Sequence, residues 1–431
     1  MKCYGPPGSR TLTAMRAGDP TLAPSLAQIA LQWGRIGCVG FGGPPAHVAL
    51  FRELCVTRRG WLSDEQFERA LAAVNLLPGP ASTQLAIYCA WRLRGPAGAL
   101  LGGLSFILPG LLAMLALAAA FLSRSPPSWL RGAGMGAGAA VAAVAVRAGV
   151  GVAAPILHRA ARRAPAGSLA PALAPTVTYA LSGGVGAALA GPWLVVILLA
   201  CGAAELGRQR LRGEAGRLGA WLLPHWPALL EGPPWALRAA TRSPLALAAS
   251  ADPGGAAALA WTAFKVGALA FGGGFVIVPL MQSDAVDTYH WMTHGQFLNA
   301  VALGQVTPGP VTHTVAAVGY SAAGVPGALL AALVAFAPSF SFILLGAPRF
   351  ERLLVEGRVQ AFLGGAAPAA AGAIIGAAIP LGGALAESWQ FAVLAGAAIA
   401  LFVLRRGIVV TVLAAALAGL GAALLGASIP R

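Results

Sequence analysis

The sequence predicts an all-α polytopic membrane protein of about 10–13 transmembrane helices. It is read as two homologous halves, an inverted-topology repeat with broken helices. Three observations carry this. The first is apolar content. The 431 residues are 58% hydrophobic and 10% charged, with a mean hydropathy of +0.75, where a soluble domain carries about 25% charged residues. Segments 97–122, 175–204 and 389–425 are nearly uncharged and exceed the roughly 18 residues that span a bilayer. The second is an internal repeat. Arg35–Pro45, RIGCVGFGGPP, returns as Lys265–Gly274, KVGALAFGGG, and Phe41 and Phe271 are 230 residues apart. The same spacing pairs Trp61 with Trp291, Gln66 with Gln296, Phe67 with Phe297, Pro78-Gly79-Pro80 with Pro308-Gly309-Pro310, and Pro96 with Pro326, while Pro109 and Pro338 match at 229. The third is charge. Residues 51–60 hold Arg52, Arg58 and Arg59 against Glu53, whereas 281–290 hold Asp284 and Asp287 with no Lys or Arg. By the positive-inside bias these loops face opposite sides, and an inverted repeat carries its binding site at the midplane between halves.

Residues 1–25 read as a polar tail, with Lys2, Arg10 and Arg16 but no apolar core of a cleavable signal. The first repeat, 26–204, opens with a helix from Leu26 that breaks at Gly40–Pro45, since glycine weakens a helix and proline removes a donor. Ser63 and Gln66 have the spacing of a capping box. The helix they start is interrupted at Asn75-Leu-Leu-Pro-Gly-Pro. Spans at 97–122 and 133–157 follow, then 175–190 and 193–204 as two short spans or a hairpin. Residues 205–256, rich in Arg, Trp and Pro, form a linker whose Arg excess places it in the cytoplasm. The second repeat, 257–431, has a helix from Leu259 breaking at Gly272. Another starts at Thr293 and breaks at Thr307-Pro-Gly-Pro. Spans follow at 325–346, 361–382, 389–404 and 407–426.

The duplicated breaks carry the chemistry. Gly40, Phe41, Gly42 and Gly43, with Phe271, Gly272, Gly273 and Gly274, leave backbone N–H groups at a new helix start, where a dipole favours an anion. Small residues also serve close helix packing, but duplication beside a matched cation favours binding. That cation is Arg35 in one half and Lys265 in the other, expected to face the midplane as a clamp on a dianion. Snorkelling to the interface is the competing role. Pro78, Gly79 and Pro80, with Pro308, Gly309 and Pro310, are expected to expose backbone to substrate. Asn75 and Gln305 precede them, and Ser82, Thr83, Gln84, Thr312 and Thr314 follow as neutral donors. His47 and His313 are the candidates for proton coupling, because histidine titrates near neutrality. Arg147 falls in the 133–157 span, to pair with a carbonyl or line a cavity.

Other classes are excluded. The net charge of +15 punctuates apolar segments, as at Arg92–Arg94, Arg159–Arg163 and Arg405–Arg406, so it marks topology rather than nucleic-acid binding. The five cysteines, Cys3, Cys38, Cys55, Cys89 and Cys201, show no metal or disulfide spacing. Cys38 is expected to pack as a small core residue. No nucleotide-binding or hydrolase motif occurs, so an enzyme is not expected, nor a cofactor or metal. No acidic residue falls clearly within a span of both halves, so a carboxylate relay is not supported.

The F-G-G-P break, W-L-S-D-E-Q-F, N-L-L-P-G-P and the second F-G-G-G…W-M…Q-F…P-G-P set resemble the chromate ion transporter family in its long, two-domain form, over 26–165 and 258–385. Gly274 departs from it, standing where the first half has proline. The resemblance implies multi-pass insertion in the bacterial inner membrane. It implies chromate efflux giving chromate resistance, driven by membrane potential or proton antiport or both. The partners expected are the chromate oxyanion, protons and the bilayer, with a homodimer as the assembly and no nucleic acid. Transport of another tetrahedral oxyanion such as sulfate, or a passive anion channel, are the alternatives.

Overall fold

The structure is a computed structural model that describes residues 24–75, 77, 79–122, 126–162, 169–189, 193–214, 254–270, 275–347 and 356–429. Every regular element among them is helical. The first half comprises α1 (Leu26–Val39), α2 (Pro44–Arg52), a π-helical turn (Glu53–Arg58), α3 (Asp64–Val74), α4 (Ala81–Phe121), α5 (Ser128–Ala139), α6 (Val141–Arg162), α7 (Leu169–Leu189) and α8 (Leu194–Glu214). The second comprises α9 (Ala256–Leu269), a 3₁₀ turn (Phe275–Ile277), α10 (Val278–Gln282), a π-helical turn (Ser283–Thr288), α11 (His294–Val306), a 3₁₀ turn (Val311–His313), α12 (Thr314–Gly346), α13 (Gly357–Gly376), α14 (Ala378–Gly383), α15 (Ser388–Ala398), a π-helical turn (Ile399–Val403) and α16 (Ile408–Leu424).

Local chemistry explains the starts and stops. Ser63 caps α3, its hydroxyl accepting from the Gln66 N–H at 3.1 Å while Gln66 Oε1 accepts from the Ser63 N–H at 3.0 Å. Thr293 and Gln296 repeat this box on α11 at 3.2 and 2.9 Å. The π-helical turns at 53–58 and 283–288 also fall 230 residues apart. Further on, α4 and α12 each contain a sharp bend: Arg94 and Gly95 at φ/ψ −143/26° and 59/−152°, and Ala323 and Gly324 at −150/29° and 63/−151°. These bends are 229 apart, so Gly95 corresponds to Gly324, and the expected match of Pro96 to Pro326 gives way. The residue is lost before the bend, where the second half has the 3₁₀ turn Val311–His313. A 3₁₀ turn rises about 2.0 Å per residue against 1.5 Å for an α-helix, so fewer residues cover the length. Past each bend the chain folds back on itself: Ala90 lies against Gly98 and Gly102, and Gly319 against Gly327.

Among the described residues, four helical stretches are long and apolar enough to cross a membrane: Ala81–Phe121, Ser128–Arg162, Val311–Gly346 and Gly357–Gly383. Others, such as α9 with 14 residues, reach only about 21 Å and fall short of the roughly 30 Å hydrocarbon core. The breaks divide a crossing between consecutive short helices. The second legs of α4 and α12 pack together at the centre. Gly103 meets the Phe340 ring, whose first-half equivalent at 229 is Leu111. Around this pair the halves interlock. α13 packs on α7 and α8, and α5 packs on α16, through small residues: Gly183 on Ala369, Gly372 on Ala180, Gly136 on Ala415 and Gly419. Without a hydrophobic force between helices in lipid, such close backbone approach holds a bundle together.

Three expectations change here. α8 continues to Glu214, through the first part of the expected linker, because Glu205 is buried and accepts from Tyr179, Arg208 and Gln209. The remainder of the linker up to residue 253 lies outside the described residues. Cys38 is exposed rather than in the core, and Arg147 is exposed on α6.

Candidate functional site

Two Pro-Gly-Pro turns form the centre of the candidate site. Each ends a short helix, α3 or α11. Gly79 and Gly309 sit at φ +121° and +87°, a region only glycine enters freely. Each second proline then starts the next helix, with the Gln84 N–H donating to Pro80 O and the His313 N–H to Pro310 O. Neither start has a side-chain cap, so the first backbone donors of two long inward helices are left to a partner from elsewhere.

Each turn is covered by the other half. Gly79 faces the Gly267 carbonyl of α9 and Ser339 of α12. Gly309 donates to the Gly40 carbonyl at the end of α1, at 2.9 Å. Beside it, Gly110 of α4 lies against Pro308 and His313. The Gly40 carbonyl also accepts from His47 Nε2 at 2.9 Å. The packing beneath is reciprocal: Gly37 lies on the backbone of Phe106, and Gly267 on that of Ala335.

The side chains gathered there are polar and deeply buried. Ser82, Thr83, Gln84, Gln305, Thr307, Thr312, Thr314, Ser339, His47 and His313 are all 6% exposed or less. Among the described residues, Thr83 Oγ1, Thr307 Oγ1, Thr312 Oγ1, Ser339 Oγ, Gln305 Nε2 and His47 Nδ1 have no hydrogen-bond partner, and the buried His313 ring lies against the Ile107 carbonyl. Buried polar groups are normally satisfied, and each exception asks for a reason. Here they cluster at two helix starts, with hydroxyl and amide donors suited to an oxyanion.

Other predicted residues stand elsewhere. Arg35 is exposed on the same face of α1 as Leu31, which is 70% exposed. Lys265 is mostly buried and paired with Asp284 at 2.5 Å. The two cations therefore do not face each other as a clamp, because both project from the side of their helix opposite the packed glycines Gly37 and Gly267. The break at Gly40–Gly43 also fails to present a helix start to an anion. Pro44 and Pro45 have no N–H, and those of Ala46 and His47 go to the Gly43 carbonyl. Gly40 is buried, but Phe41 and Gly42 are exposed and Gly43 is half-buried. Asn75 is exposed while its partner Gln305 is buried. Pro78, Phe271, Gly272, Gly273 and Gly274 lie outside the described residues.

The basic loop is largely neutralised. Arg52 pairs with Asp64 and Glu68, and Arg58 with Glu53. The residue that sequence reasoning missed is Asp284, read there as a loop charge. It is 6% exposed and accepts from Thr262 Oγ1 at 2.8 Å as well as from Lys265. A signal was present: its equivalent is Leu54, an apolar residue that is itself buried.

A family model described as chromate transporter matches residues 27–206 and 257–420. A chromate transport protein of Cupriavidus metallidurans is 31% identical over 367 residues, 85% of each chain. One from Pseudomonas aeruginosa is 29% identical over 393 residues, 88% of this chain and 86% of its own. An uncharacterized transporter of Methanocaldococcus jannaschii is 25% identical over 338 residues, 77% and 78% of the two chains. No solved structure matches.

Proposed function

The chain belongs to the chromate transporter family, and from that premise we propose that it exports chromate across the bacterial inner membrane and so confers chromate resistance. The observation that carries the site is the cluster of unpartnered buried donors at the two Pro-Gly-Pro helix starts. A tetrahedral oxyanion offers acceptors in several directions, which fits hydroxyls and N–H groups converging from both halves. Thr83 and Ser339 serve one turn, and Thr312, Thr307 and Gln305 the other. The surrounding residues are occluded, so transport proceeds by rocking of one half against the other. The Gly309–Gly40 hydrogen bond closes that contact and opens as the halves part. Outward movement is favoured electrically, since each net negative charge leaving a negative interior across 100 mV gains about 2.3 kcal/mol.

Labelled chromate flux in inverted membrane vesicles, with sulfate as competitor, tests this. Wild-type vesicles should accumulate chromate in a saturable way. Thr83→Val, Thr312→Val and Ser339→Ala should each weaken apparent affinity about tenfold, in line with the roughly 1.5–3 kcal/mol of a hydrogen bond to a charged group. Unsaturable current would make the protein a channel. Full activity in all three variants would move the binding site away from the Pro-Gly-Pro turns.

A further inference from the structure

We infer that His47 selects the protonated form of the oxyanion, so that one proton accompanies each chromate through the site. The inference rests on the chromate reading and adds to it a specificity residue and a coupled ion.

The tautomer of His47 follows from its bonds. Nε2 lies 2.9 Å from the Gly40 carbonyl, and a carbonyl can only accept, so Nε2 carries the hydrogen. A neutral imidazole has one N–H, which leaves Nδ1 as a bare lone pair. The Gly40 carbonyl also receives the Gly309 N–H, so the arrangement is held from both halves. His47 is 0% exposed, and Nδ1 has no partner among the described residues. The Phe106 ring of α4 stands edge-on to the imidazole at 5.1 Å. The titratable group acting on it from a neighbouring element is His313, on the turn before α12, also 0% exposed and set against the Ile107 carbonyl of α4. Among the described residues no carboxylate, lysine or arginine acts on His47.

A bare lone pair buried next to the Gly40–Gly309 hydrogen bond that joins the two halves repels a bare oxyanion and attracts an O–H. Chromate takes up its first proton near neutrality, and the resulting monoanion has one hydroxyl. Sulfate does so only in strong acid. The chemistry balances in either notation: hydrogen chromate donating to neutral His47, or chromate accepting from protonated His47, is one proton, one oxyanion and a net charge of −1. A site built around a hydrogen bond to a substrate hydroxyl rejects an analogue lacking it far more strongly than a shape fit would. The position equivalent to His47 in the second half is Ile277, so this selection belongs to the Pro308–Pro310 turn alone.

The test uses the full-length protein in sealed liposomes with a pH dye in the lumen. Labelled chromate and sulfate uptake are followed from mildly acidic to mildly alkaline pH. Wild-type chromate flux should fall about tenfold per pH unit on the alkaline side, as the protonated fraction does. The lumen should acidify as chromate enters, and chromate should be preferred over sulfate by about a hundredfold or more. His47→Gln keeps a donor for Gly40 and removes the basic nitrogen. It should flatten the pH slope and reduce the preference at least tenfold. A pH-independent wild type, a lumen that turns alkaline, or a His47→Gln protein with the wild-type slope would each overturn the inference. The first two readouts hold even if the variant fails to assemble. Absence of chromate flux at every pH would instead remove the transport reading beneath it.

Discussion

The two Pro-Gly-Pro turns each carry a positive-φ glycine and differ in what faces them. At Gly79 the neighbouring side chains are Gln84 and Ser339; at Gly309 the neighbouring side chain is His313, and Gly110 stands against the adjoining Pro308 carbonyl. With the one-residue shift, Gln84 corresponds to His313 and Ser339 to Gly110. Both turns have buried neutral donors nearby, and the Gly309 turn adds two imidazoles, His313 and, from the first half, His47. The matched cations diverge in the same way: Lys265 is buried against Asp284, while Arg35 lies at the exposed face of α1. Duplication preserved the breaks, bends and caps, which are set by a few glycines, prolines and capping residues. The side chains around them, free of that backbone constraint, took on separate roles.

The largest effect should come from erasing the difference at the turns. Gly110→Ser copies Ser339, but a Cβ at Gly110 would stand 2.2 Å from the Pro308 carbonyl, and backbone cannot step aside. We expect a loss of about 3 kcal/mol or more, seen as loss of monodisperse protein in detergent. Ser339→Gly should retain the fold. Equal behaviour of the two would break the comparison.

Next is the pair of cations. Asp284→Ala leaves the buried Lys265 ammonium uncompensated and should cost about 3–5 kcal/mol, and replacing both by apolar residues (Lys265→Met with Asp284→Leu) should recover most of it. Arg35→Ala should leave thermal stability unchanged. A thermal unfolding series on the purified proteins separates these cases. A destabilised Arg35→Ala would give that side chain a structural role after all.

The smallest effect lies where the halves remain alike. Ser63→Ala and Thr293→Ala each remove one N-cap and should each cost about 1 kcal/mol. Markedly unequal losses, read from the same melts, would show that the two ends have diverged in stability as well as in the site.

Much of the fold was legible beforehand because it rests on local rules. Ser63 with Gln66, and Thr293 with Gln296, need only four consecutive residues to cap a helix. The breaks at 40–45 and at both Pro-Gly-Pro motifs need only residues that cannot continue one. The polar cluster at 82–84 and 312–314 was visible too, since it follows those breaks directly. The direction of a side chain was not visible. Arg35 and Lys265 occupy equivalent positions, yet the outcome depended on whether a carboxylate was packed across from each, and that partner is 19 residues further on, in a segment whose polarity resembled a loop.

By itself, then, the sequence determined a helical membrane protein in two halves and the places where its helices stop, because hydropathy, proline, glycine and capping act over a few residues. Tertiary structure alone decided that each Pro-Gly-Pro turn is roofed by the opposite half. It also decided that Gly40 receives both His47 and Gly309, and that Lys265 spends its charge on Asp284. Those contacts join residues far apart in the chain, and only the packing of one half against the other brings them within a hydrogen bond.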